Sequence, residues 1–273
     1  VEDLNRVVYT NNAGTQTYID KPTTNISCPA GYIPVPGNSM YGTSDFCVMT
    51  YEAKTGSATI AATTEAAGAP VVNISQTNAI TACSLNGAGY GLINNAEWMT
   101  IARNIEGVAI NWTGGAVGSG GLWRGHSDGT PNNTLAASTD NNDPYNGTGN
   151  VSPSTQKRTY TLSNGEIIWD LSGNVQEWTN DIIMGSDKPT GGSEFTSITG
   201  YGSLRYDLIR PSNNTWNGSQ NMGYYFAGSN TGGPFIFLRG GTWDAGTPAG
   251  VFTLNLFYTS VWGNNIGFRC VVR

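Results

Sequence analysis

The sequence is poor in charge. Only 12% of its 273 residues are Asp, Glu, Lys or Arg, and 19 acids against 13 bases leave a net charge of −6. No basic run interrupts this acidity, so counterion release from a phosphate backbone is excluded as a source of affinity, and no nucleic-acid partner is expected. An anionic membrane surface would repel the chain, and no apolar stretch approaches bilayer length, so direct membrane insertion is not expected. Histidine occurs once, as His126. The four cysteines, Cys28, Cys47, Cys83 and Cys270, form no CxxC pair. A structural zinc site needs closely spaced ligand pairs, so disulfides and an oxidising, extracellular compartment are the expectation. No signal-like segment follows Val1; the chain reads as processed or trimmed, with any leader or anchor outside it.

What is abundant is glycine, at 37 residues, with 12 prolines and 11% aromatics. That composition predicts a loop-rich globular protein with little uninterrupted helix. Residues 1–27 read as a polar N-terminal arm, and 28–273 as a single domain of mixed α and β structure. Strands are predicted at 28–37 and 45–54. A first helix is predicted from Ser75, its candidate cap, with Ala79, Ile80 and Cys83 on one face. A second, capped by Asn95, repeats Trp98, Ile101, Ala102 and Ile105 at helical spacing. Residues 113–165 are almost all loop, a length that argues for function or internal packing. Short strands return at "RTYTL" and "EIIWDL", a Gly/Ser/Asn-rich stretch covers about 184–233, and three strand candidates close the chain.

The last of these raises a question. In "GVFTLNLFYTSVW" (250–262), Phe252, Leu254 and Leu256 share one face, and Val251, Thr253, Asn255 and Phe257 the other. The alternation then breaks into Phe257, Tyr258, Val261 and Trp262 before a Gly-Asn-Asn turn. The first set is read as core. Thr253, Asn255 and Phe257 are read as facing outward, with Tyr258 and Trp262 exposed, whereas Trp243 beside its glycine turn is read as core.

Other constellations are weaker. His126 in "LWRGHSDG" has Asp128 nearby but no nucleophile elbow, so it is read as a loop-stabilising histidine and not a catalytic one. Asp170, Asn174, Glu177 and Asp181 gather around "WDLSGNVQEWTND". They can supply oxygen ligands to a structural calcium ion or satisfy buried backbone groups in a turn, and both readings stand. No other cofactor is implied.

Four segments, in order, resemble the formylglycine-generating enzyme family: "GLINNAEWMTIARN", "WDLSGNVQEWTND", "LRGGTW" and "NIGFRCVV". The resemblance implies an α+β C-type lectin fold, two short helices around a small twisted antiparallel sheet with long loop insertions. It implies a Cys83–Cys270 disulfide, leaving Cys28 to pair with Cys47; closing so long a loop is worth roughly 4–5 kcal/mol in the chain-entropy account. The family's chemistry rests on two copper-binding cysteines after the "RGG" turn. Counted from Arg239, those positions are Ala245 and Gly250, and neither carries a thiol.

The segments "WRGHSDGTPNN", "LAAS", "TLSNGEIIWDLSGNVQEWT" and the spaced "RGG-W-----AGVF-L-L--------NIGFRC" are also similar to the variable proteins of diversity-generating retroelements, which share that fold. In that group the gaps are diversified by mutation at template adenines. The gap residues here are Thr242, Asp244, Ala245, Thr247, Pro248, Thr253, Asn255, Phe257, Tyr258, Ser260, Val261, Trp262 and Asn264, in a region spanning about 239–269. Most are reachable from an asparagine codon; Trp262 is not. The resemblance implies a non-enzymatic protein at a cell or virion surface, displaying these side chains to an unknown ligand, a protein or other surface macromolecule. An enzyme of the same fold with another activity, or a fixed structural surface protein, are the alternatives.

Overall fold

The computed structural model describes residues 26–148, 156–227, 232–258 and 263–273, together with the backbone of 6–10 and 16–20; for Tyr258 it describes the backbone alone. The N-terminal arm carries β1 (Arg6–Thr10) and β2 (Gln16–Asp20), an antiparallel pair. There follow β3 (Tyr32–Val35), β4 (Phe46–Met49), β5 (Ala53–Thr55), β6 (Thr63–Thr64), α1 (Gln76–Ser84), β7 (Tyr90–Leu92) and α2 (Asn95–Glu106). After a long loop come β8 (Thr159–Thr161), β9 (Ile167–Trp169), β10 (Gln176–Met184), β11 (Thr190–Gly191), β12 (Ile198–Gly200) and β13 (Tyr225–Ala227). The chain closes with β14 (Pro234–Gly240), β15 (Gly250–Tyr258), β16 (Ile266–Phe268) and β17 (Cys270–Val272).

Both predicted helices form. Ser75 caps α1 by accepting from Asn78 N. The cap of α2 is Asn94, one residue before the expected Asn95, because Glu97 stands three residues after Asn94 and closes a reciprocal capping box with it. Asn95 is instead the first helical residue, and its buried side chain faces inward to Arg239 and Leu208.

A five-stranded sheet in the order β13-β15-β14-β10-β16 is the centre of the domain. Its middle pairings are antiparallel, while β13 runs parallel to β15 and β16 parallel to β10. A four-stranded sheet, β3-β4-β17-β7, gathers the first hairpin and the C-terminus. The larger sheet has a core on each face. On one, Trp98, Ile101 and Ile105 of α2 pack in the cluster that contains Phe252, Leu254 and Leu256. On the other, Ala79, Ala82 and Cys83 of α1 belong with Trp178, Ile236, Leu238, Ile266 and Phe268. Burial on both faces explains why β14 reads as the unbroken apolar run "FIFL" instead of alternating.

The disulfides are Cys28–Cys47 and Cys83–Cys270, as the resemblance implied. The second ties α1 to β17 across 187 residues of sequence. Among the described residues no helix is long and apolar enough to cross a membrane.

Candidate ligand-binding surface

The first half of β15 is held from behind by the motif residues. The Trp98 indole donates to Val251 O at 2.7 Å. Arg239, fully buried, donates to Phe252 O at 2.9 Å, to the Leu208 carbonyl and to Asn95 Oδ1; burial pulls its guanidinium down to about 9. Arg269 forms a two-pronged pair with Glu177, at 2.7 and 2.6 Å, and also donates to the carbonyls of Met49 and Trp169. Arg158 pairs in the same way with Asp170. Planar forks of this kind fix direction as well as distance.

The loop between β14 and β15 grows out of the "RGG" turn. Gly240 and Gly241 have φ of +88° and +87°, and a Cβ on Gly241 would lie 2.8 Å from Ala249 Cα, so both positions require glycine. Asn174, itself at φ +60°, accepts from Trp243 N through its backbone oxygen at 3.0 Å. Its side chain accepts from Leu135 N and donates to Glu52. Burial, then the charges of Asp170 and Glu177, push the Glu52 carboxyl well above its ordinary range. The tip of the loop is pinned by Gly246 N donating to Ser127 O and by Gly129 N donating to Trp243 O. Trp243 is buried, as expected.

On this frame Asp244, Thr247 and Asn264 are exposed, while Thr242, Ala245, Pro248, Asn255 and Phe257 are half-buried. Ser260, Val261 and Trp262, and the side chain of Tyr258, lie outside the described residues. Thr242 and Asp244 share a hydrogen bond of 2.7 Å. Asn264 stands apart from the others, ahead of β16 at the opposite edge of the sheet from β13.

Thr253 corrects the expected outward face of β15. It is 2% exposed, and its hydroxyl donates to Pro248 O at 2.5 Å. The cause is β13 and the residues ahead of it, which run alongside β15 and bond to it: Phe252 N donates to Met222 O, and Leu254 N to Tyr224 O. Phe257 is corrected in part. It packs against the α1-side cluster and is not freely displayed.

The same insertion contributes residues that sequence reading missed. Phe226 is half exposed, pairs with Asn255 across the ladder, and sets its ring 6.1 Å from that of Phe257. The Tyr224 side chain lies between Glu194, which raises its pKa, and Thr247, which lowers it. Tyr224 and Phe226 therefore join the 242–248 loop to the open end of β15. Their signal was the alternation in "YYFA", lost within a Gly- and Ser-rich stretch.

The remaining candidates have structural partners. His126 is fully buried, with Nε2 2.9 Å from Pro131 O and 3.0 Å from Asn133 O, so Nε2 carries the proton and ties the 126–133 loop together. In the carboxylate cluster, Asp170 and Glu177 are taken by arginines, and Asp181 accepts from Asn95 N and Thr179 Oγ1. Among the described residues no three His, Cys, Asp or Glu side chains gather as a metal-binding group. The copper positions do not fit the metal. Ala245 and Gly250 carry no thiol, all four cysteines are in disulfides, and a Cβ on Gly250 would fall 2.5 Å from Met222 O.

Residues 11–273 match the sulfatase-modifying factor enzyme 1-like domain. Among solved structures the chain is similar to PvdO from Pseudomonas aeruginosa, at 13% identity and a TM-score of 0.44 over 89% of this chain and 90% of that one. It is similar to Treponema denticola variable protein 1, at 15% identity and a TM-score of 0.40 over 84% and 85%. It is also similar to a Major Tropism Determinant P3c variant, at 16% identity and a TM-score of 0.40, covering 98% of this chain and 60% of that one. No curated protein sequence matches. With the match spanning the domain from its N-terminal arm to its last residue, the chain belongs to the family of sulfatase-modifying factor enzyme 1-like domains.

Proposed function

We propose that this protein is a non-enzymatic recognition module, displayed on a cell or virion surface, whose binding face is the 242–248 loop with Asn255, Phe257 and the strand end that follows. The observation that carries this reading is the closure of position 250. The backbone of Met222 and Gly223, just ahead of β13, occupies the space a second copper-binding cysteine would need. Asp244 and Thr247, on the loop before it, meet solvent from a backbone fixed by Trp98, Arg239 and Asn174. Preordered side chains lose less entropy on binding, and variation among them leaves the frame unaltered. The spacing of the frame from Arg239 to Leu256 supports the same reading, since Gly240, Gly241, Phe252, Leu254 and Leu256 fall on the glycine turn and the core of β15. The two disulfides fit an oxidising, extracellular setting.

The test is a display library that randomises Asp244, Ala245, Thr247, Asn255 and Asn264 and is selected against a folded protein such as lysozyme. The reading expects most members to stay protease-resistant and binders to emerge with changes at these positions alone. A library that is largely unfolded, or turnover of a sulfatase-motif peptide with added copper, would overturn it.

A further inference from the structure

We propose that the open end of the five-stranded sheet, on the face that α1 covers elsewhere, is a constant apolar contact surface for the ligand, and that the ligand is a folded protein presenting an apolar patch of its own. The proposal rests on the recognition reading above and names the kind of partner that face takes.

Three apolar residues end β10. Ile183 turns into the α2-side core, and Ile182 and Met184 turn the other way. On β14 such a run is buried on both faces; here it is not, because α1 does not extend so far. Gln76, the first residue of α1, donates to the carbonyls of Thr179 at 2.6 Å and Asp181 at 3.3 Å, which sets the helix end level with the middle of β10. Past that point Ile182 and Met184 are 61% and 50% exposed.

The strand register carries this exposure across the sheet. Met184 lies opposite Pro234, which is exposed. Ile182 lies opposite Ile236, and Ile236 opposite Phe257. The Phe257 ring reaches that of Phe226 on β13, itself 50% exposed. Directly opposed residues share a face, so these side chains form one apolar stripe over four strands. None of them is charged. Asp181, the neighbouring acid on β10, is engaged on the α2 side by Asn95 N. Contiguous apolar surface of this kind marks an interaction site, whereas scattered single residues do not.

The occupant follows from what the stripe adjoins. Phe257, and Asn255 opposite Phe226, are display positions; Ile182, Met184, Pro234 and Phe226 are not. A ligand seated on Asn255 and Phe257 therefore rests on the stripe as well. A second copy of the chain docked there would cover both display positions, and an anionic membrane would be repelled by a net charge of −6. A sheet face without charge suits the apolar centre of a protein interface, where Phe and Met are enriched. The flexible Met184 side chain and the rotatable Phe226 ring can adjust to different partners. Burial of the fixed stripe is then common to all ligands, and the display positions choose among them.

The experiment uses the library randomised at Asp244, Ala245, Thr247, Asn255 and Asn264, selected separately against lysozyme and streptavidin. Binders to both proteins should show protection of Ile182, Met184 and Phe226 in hydroxyl-radical footprinting, which reads side-chain exposure. Transferred into a frame carrying Ile182→Ser, Met184→Ser and Phe226→Ser, each binder should lose at least ~10-fold in affinity. Thermal unfolding should change little, since these side chains already meet solvent. If the serine frame does not fold, the footprint in the parent frame decides. Binders that leave the stripe unprotected, or that keep their affinity in the serine frame, would overturn this inference and leave the recognition reading intact. A library without binders would overturn both. Protection of the stripe by phosphatidylcholine vesicles, or a dimer of the parent protein that the serine frame abolishes, would assign the face to a membrane or to a second copy and overturn the inference alone.

Discussion

The two halves of β15 are one strand with opposite duties. Through Leu254 every side chain is buried, and the backbone is held by Trp98, Arg239, Met222 and Tyr224. From Asn255 the side chains of the outward face are half-buried, and their nearest partners are Phe226 and the edge of the α1-side cluster. The ladder to β14 runs unbroken from Tyr258 to Leu254 and then shifts register before Gly250, so the first half depends on its side-chain clamps and on the segment beside it. Recognition in such a design comes from the half that packing leaves undetermined, and its precision comes from the half that packing determines completely.

Substitutions behind the strand should have the largest effects. Glu177→Ala leaves the fully buried Arg269 guanidinium without its carboxylate, and breaking such a pair costs about 3–5 kcal/mol. Urea unfolding of the oxidised protein should show that loss. In the clamped half, Leu254→Ala should cost about 2–5 kcal/mol by the same assay, as a buried leucine truncation does. On the helix behind it, Glu106 should make stability depend on pH. Its folded pKa of about 7 exceeds the ordinary 4.5, so between these values the folded chain holds a proton the unfolded chain has released. That stabilisation is complete below the lower value and is lost as pH rises through the upper one, by at most ~3 kcal/mol. Glu106→Gln should remove this slope; a slope unchanged in the variant would contradict the assignment. At the boundary of the two halves, Phe257→Ala should cost only about 1–2 kcal/mol, because the ring is only partly buried. A cost as large as that of Leu254→Ala would erase the distinction drawn between the halves.

Much of this was legible in the sequence. The helical spacing of Trp98, Ile101, Ala102 and Ile105, the alternation of Phe252, Leu254 and Leu256, and the burial of Trp243 all appear in the fold. Local periodicity records which face meets a core, and these elements each meet one core squarely. Thr253 was misread because alternation in a single strand says nothing of what lies alongside it; the covering strand comes from "MGYYFA", three residues of ladder in a glycine-rich stretch. Phe257 was misread in part because the sheet has a core on both faces, which a strand pattern alone cannot reveal. Tyr224 and Phe226 were missed for the same reason as β13 itself.

The most direct test is the thermal unfolding of a variant that changes the open surface in bulk: Asp244→Tyr, Thr247→Asp, Asn255→Ser and Asn264→Tyr combined. Each is a surface or rim position where single changes cost within about 0.5 kcal/mol. The account predicts a Tm within about 8 °C of the parent, since four such changes sum to at most ~2 kcal/mol and ~1 kcal/mol shifts a domain of this size by roughly 2–4 °C. A fall of more than about 10 °C would mean that these side chains hold the fold together, and would contradict the separation of frame from binding face.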